Sequence, residues 1–140
     1  MLWEAQFIVG GYMIRIMSNV VWIVFGGSQM ALAYMTAGLA FCITIIGIPF
    51  GLQFFKLGVI SFWPFGTKLL PVKKKDNRKV LHFVCNVIWM ISFGLVIALG
   101  HLFWALLFGI TILGIPFALQ HIKLAKIALM PFGRDFDLKE

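Results

Sequence analysis

The sequence predicts an all-α integral membrane protein: four transmembrane helices forming two parallel-repeat helical hairpins, the second helix of each kinked at Gly-Ile-Pro. Three observations lead there. The chain of 140 residues is 61% hydrophobic and 12% charged, with a mean hydropathy of +0.99. Soluble domains average about 45–50% apolar and about 25% charged, so lipid is the solvent that accepts these side chains. From Ile16 to Phe55 no residue is charged, about twice the ~20 residues that one straight span needs. The stretch Thr44–Gly66, TIIGIPFGLQFFKLGVISFWPFG, also returns as Thr111–Gly133, TILGIPFALQHIKLAKIALMPFG, at a constant offset. Asn19-Val20-Val21-Trp22 against Asn86-Val87-Ile88-Trp89 keeps that offset, so a whole two-helix unit is duplicated.

The division that follows is an N-terminal interfacial segment at 1–14, a first repeat at 15–66, a basic cytoplasmic loop at 67–79, a second repeat at 80–133 and a charged tail at 134–140. Residues 1–12 read as a short interfacial helix with Trp3 at the headgroup level. They lack the basic start of a signal peptide and carry Glu4 instead. The first spans are expected at 14–34 and 37–60, with the turn at Tyr34–Gly38, the most polar and permissive local run. In the second repeat the spans fall at 81–100 and 104–127, with a turn at Gly100–His101. Trp63-Pro64-Phe65-Gly66 and Met130-Pro131-Phe132-Gly133 close the units, because Pro cannot continue a helix and Gly adopts the left-handed exit.

Charge sets the orientation. The net charge is +7, and Lys68, Lys73, Lys74, Lys75, Arg78 and Lys79 crowd one connector. Between apolar spans such a cluster marks the cytoplasmic side and its anionic headgroups rather than nucleic acid. Two spans per unit put the loop and both termini on that side, so the repeats are parallel and related by a twofold axis along the membrane normal. Inverted repeats are the transporter alternative.

Gly47-Ile48-Pro49 and Gly114-Ile115-Pro116 are read as kinks inside the second helices. Pro removes a donor and frees a carbonyl, which Thr44 and Thr111 are placed to assist. The kink either splays packed helices or lines a pore. Gln53 and Lys56, with Gln120 and Lys123, share the face of Pro49 and Pro116. Three readings of this polar stripe stand open: lysines reaching headgroups, an anion-attracting lumen, or glutamine hydrogen bonds between helices. Asn19 and Asn86 suit an interhelical hydrogen bond or a helix cap, and Trp22 and Trp89 suit packing or interface anchoring. His82, His101 and His121 neither repeat nor cluster and receive no role. Cys42 and Cys85 read as small core residues, with no metal-ligand spacing.

No acid lies within a span, which disfavours coupled cation transport. No Ser-His-Asp set, P-loop or paired carboxylates suggest an enzyme, and no cofactor or metal is implied. The pattern T-I-x-G-I-P-F-x-L-Q-x-x-K-L…P-F-G resembles the YccF family of small bacterial inner-membrane proteins, whose domain occurs twice in one chain. The resemblance covers roughly residues 15–134. It implies a multi-pass protein of the bacterial inner membrane and carries over no catalytic or binding residue. Four spans bury little surface, so self-association is expected. Two functions fit: a homo-oligomeric channel, favouring anions, or a non-catalytic scaffold or accessory subunit that binds lipid or a partner membrane protein.

Overall fold

The computed structural model describes residues 2–70 and 77–137; Lys73, Lys74, Lys75 and Asp76 of the basic loop lie outside them, as does the side chain of Trp3. The chain is all-α, 78% helical, with four helical rods of which two are long and apolar. The first long rod joins α1 (Leu2–Trp22) through a wide π-helical turn at Ile23–Gly27 to α2 (Ser28–Cys42). A short turn leads to α3 (Ile48–Phe62), then β1 (Lys68–Leu70). The second unit repeats the order: α4 (Lys79–Trp89), a π-helical turn at Met90–Gly94, α5 (Leu95–Gly109), α6 (Ile115–Leu129) and β2 (Asp135–Asp137).

The hairpins are α2 with α3 and α5 with α6, and their turns lie at residues 43–47 and 110–114. This corrects the expected turns at Tyr34–Gly38 and Gly100–His101, and with them the span limits. Tyr34 and His101 are buried in the middle of their helices. It also corrects the kink. Gly47 and Gly114 are N-caps, and Pro49 and Pro116 sit in the first turns of α3 and α6. Pro is well suited there, because its missing N–H would have had no intrahelical partner. The irregularity lies instead in the first rod of each unit. Gly26, at φ 146°, breaks the path between α1 and α2, a conformation open to Gly because it has no Cβ.

Small residues let the hairpin helices touch. A Cβ added at Gly51 would meet the Gly38 carbonyl oxygen at 2.8 Å and Cys42 Sγ at 2.5 Å. The second unit has Ala105 and Ala118, both buried, at the matching places. This is the small-residue packing that membrane helices use where burial of apolar surface gives no drive. The N-terminal segment is no separate interfacial helix, since α1 runs unbroken to Trp22. The tail is likewise structured at residues 135–137, where β2 pairs antiparallel with β1. Cys42 and Cys85 are free and half-buried.

The two units are related by an approximate twofold axis. In the β-ribbon Leu69 pairs with Phe136, its own counterpart in the repeat, and Lys68 and Leu70 pair with Asp137 and Asp135. Tyr34 meets its own counterpart His101 in the core. Equivalent residues facing each other mark a self-complementary contact. The axis therefore runs from the ribbon into the bundle, with both hairpin turns at the far end.

Gly51→Val should force the first hairpin open at its closest approach. The expected result is a loss of about 1–3 kcal/mol, read as a lower melting temperature in detergent, with a smaller effect for Ala118→Gly.

Candidate functional site

The polar side chains converge where α3 and α6 end. Each Met/Trp-Pro-Phe-Gly exit turns out of its helix through a left-handed glycine, Gly66 at φ 93° and Gly133 at φ 78°. The turn leaves carbonyls and amides without helical partners, and the rods supply them. Asn19 Nδ2 donates to the Phe65 carbonyl at 2.9 Å and Asn19 Oδ1 accepts from Phe65 N–H at 3.0 Å. Asn86 does the same with Phe132, at 3.0 and 2.9 Å. A carboxamide presents the donor and acceptor of a peptide group, so each Asn acts as one more strand residue beside the loop. Trp22 Nε1 donates to the Ser61 carbonyl and Trp89 Nε1 to that of Ala128, both at 2.7 Å. These cap the last-turn carbonyls that a helix leaves open.

The lysines reach across to the other repeat. Lys56 Nζ donates to the Pro131 and Arg134 carbonyls at 2.6 and 2.7 Å. Lys123 Nζ donates to the Pro64 and Thr67 carbonyls at 3.0 and 2.5 Å. The two lysines, expected on one face with Gln53 and Gln120, thus reach the exit loop of the other repeat. Two carbonyl oxygens take up an ammonium whose partial burial would otherwise be costly. Gln53 Oε1 and Gln120 Oε1 are buried with no hydrogen-bond partner among the described residues. Thr44 and Thr111 stand at the opposite end. Each hydroxyl accepts from the N–H of Gly47 or Gly114 at 3.0 Å, which tightens the turn rather than relieving a proline kink.

Between the repeats the space is filled by rings. Trp22 packs on α6, 4.6 Å from His121 and stacked on Phe117 at 6.3 Å. Trp89 packs on α3, 4.7 Å from Phe54 and stacked on Phe50 at 6.4 Å. Each unit's tryptophan thus inserts into the other unit.

One polar string crosses this core. Tyr34 Oη lies 2.6 Å from His101 Nε2, and His101 Nδ1 lies 3.0 Å from His121 Nδ1. Only one proton fits between the two Nδ1 atoms. With neutral rings, either Tyr34 donates to His101 and His101 to His121, or the whole string is reversed. A cavity of about 20 Å³ lies beside His121, room for roughly one water. The sequence reading missed this cluster by treating the histidines as unrelated. The signal was the offset itself, which sets His101 on Tyr34 and His121 on Phe54, two core positions.

The family model for YccF, described as an inner membrane component domain, matches residues 17–67 and 84–134. The chain is similar to the inner membrane protein YccF of Escherichia coli (strain K12), 40% identical over 55 residues. The same identity and length hold for the inner membrane protein YccF of Shigella flexneri. The match takes in 39% of this chain and 37% of each relative, so it spans little more than a third of their length. No solved structure matches.

Replacing both lysines, Lys56→Met with Lys123→Met, removes charge-assisted ties worth about 1.5–3 kcal/mol each while keeping the side-chain bulk. Unfolding in mixed detergent is expected at a lower denaturant fraction, with α2–α3 and α5–α6 still helical by circular dichroism.

Proposed function

The chain belongs to the YccF family, and from that premise and the geometry of the bundle we propose that it serves in the bacterial inner membrane as a non-catalytic scaffold. Its cytoplasmic base binds anionic lipid headgroups. One observation carries the reading: Lys56 and Lys123, at the middle of α3 and α6, are held by backbone carbonyls of the opposite repeat. An anion path along that face would need those lysines free. The rings of Trp22, Trp89, Phe54 and His121 occupy the space between the repeats, which leaves a conducting lumen only between separate copies of the chain.

The base has what the scaffold needs. Arg15, Lys68, Lys79, Lys126 and Arg134 belong to the segments that surround the exit loops and the β-ribbon. By the positive-inside rule that end, with both termini, faces the cytoplasm and its anionic leaflet. Self-association through the exposed apolar helix faces is compatible with this role.

In liposomes, the purified protein is expected to give no chloride or phosphate flux above empty vesicles. It is expected to retain phosphatidylglycerol over phosphatidylcholine, a preference that falls with salt. Lys68→Glu with Lys126→Glu should weaken the preference by about 1 kcal/mol per lysine. Anion flux dependent on the protein would replace the scaffold with a channel built between copies.

A further inference from the structure

The ends of the hairpins have the wrong chemistry for water. The first turn exposes Ile43, Ile45 and Ile46, and the second exposes Ile110, Ile112 and Leu113; Ile45 and Leu113 are each 87% exposed. Turns at an aqueous surface favour Asn, Asp, Ser, Gly and Pro. Here branched aliphatic side chains project from the tip, and the nearest charges in sequence are distant.

Each tip folds part of its backbone onto itself. Thr44 N–H donates to Phe41 O at 3.3 Å, Ile48 N–H to Thr44 O at 3.1 Å, and Gly51 N–H to Gly47 O at 2.8 Å. Gly47 N–H has both the Thr44 carbonyl and hydroxyl at 3.0 Å. The second tip repeats this through Thr111, Gly114 and Ala118. Pro49 and Pro116 have no N–H to satisfy. In hydrocarbon each open backbone group costs several kcal/mol, and these bonds lower that cost.

The second arm of each hairpin is short, while the first arm belongs to a rod of 33 or 31 residues. Helices α3 and α6 have 15 residues each, about 22 Å of rise, against a hydrocarbon core of about 30 Å. The base cannot stand far below them. Lys56, in the middle of α3, holds the Pro131 and Arg134 carbonyls, and Lys123 holds those of Pro64 and Thr67. The charged loops are thereby drawn up to the lower half of the hairpins. A base seated among cytoplasmic headgroups puts the turns short of the opposite headgroups.

We infer that both hairpins enter the bilayer from the cytoplasmic face and turn around inside the hydrocarbon, so that lipid acyl chains cover the Ile43–Ile46 and Ile110–Leu113 tips. The inference rests on the cytoplasmic placement of the base given above and holds whether or not the scaffold role does.

The test uses the full chain with Cys42→Ala and Cys85→Ala, carrying Ile45→Cys, Leu113→Cys or Lys68→Cys. A membrane-impermeant maleimide is applied to intact sphaeroplasts and to inverted inner-membrane vesicles. Lys68→Cys should label only in inverted vesicles, and the tip cysteines from neither side. A fluorophore attached at each tip in detergent, then reconstituted, should be quenched several-fold more by nitroxides at mid-chain than by nitroxides on the headgroup. Tip labelling in sphaeroplasts, or strongest quenching by headgroup nitroxides, would show that the hairpins cross. Protection from both nitroxides would put protein rather than lipid on the tips, and labelling of Lys68→Cys in sphaeroplasts would invert the orientation; each overturns the inference. The two hairpins are tested separately, so one misfolded variant leaves the other to decide.

Discussion

A peptide group that meets no water must find its hydrogen bond within the protein, and a repeated set of polar side chains among the described residues is used for that. Asn19 and Asn86 complete the exit loops, Trp22 and Trp89 close the last turns of α3 and α6, and Thr44 and Thr111 close the tips. Lys56 and Lys123 do the same across the repeat boundary. Without these side chains, the Pro-Phe-Gly exits would leave partly buried carbonyls open. The left-handed glycines can therefore turn the chain sharply here because side chains from elsewhere take up the freed groups.

Reciprocity follows from the same requirement. A lysine in the middle of α3 cannot bend back to its own exit loop, but the twofold relation brings the other unit's loop within reach. The tryptophans are exchanged in the same sense, each packing on the opposite unit's aromatic face. Neither hairpin is complete alone: its exit loop lacks the lysine and its α3 or α6 face lacks the indole. Two copies of the unit are thus needed for this packing, and the 67-residue separation of Tyr34 and His101 in contact is the trace of their fusion.

Much of this was legible in the sequence, for reasons that can be stated. The repeat and the pairing of helices survive in the offset of Asn19, Trp22 and the Pro-Phe-Gly exits. The common face of Gln53 and Lys56 follows from helical spacing. The turns were not legible, because the usual marks of a turn are polar and these tips are aliphatic. Tyr-Met-Thr-Ala-Gly at 34–38 looked more like a turn than Ile-Thr-Ile-Ile-Gly at 43–47, although Gly38 is there to admit α3 closely. Pro49 was read as an interior proline for the same reason: with the turn misplaced, the first turn of α3 looked like its middle. The destination of the lysines was hidden as well, since spacing gives the face of a helix and not what lies against it.

The string Tyr34–His101–His121 shows what one fused chain allows that two separate copies would not. Residues on a twofold axis meet their own counterparts, so a symmetric pair of single repeats would place identical side chains there. Here the counterparts have diverged: Tyr34 faces His101, and Phe54 answers to His121. A hydroxyl against an imidazole offers a donor to an acceptor in either direction, and the second imidazole continues the line. On the other side of the axis Phe54 keeps the matching place apolar, packed 4.7 Å from Trp89 where His121 lies 4.6 Å from Trp22. The polar groups therefore run from the axis into one unit only. Buried polar groups specify an arrangement when every member is satisfied, and a one-sided string distinguishes the two hairpins that the backbone makes nearly equivalent. It fixes which face of α5 meets α2, a choice that rings and aliphatic side chains alone would leave to shape.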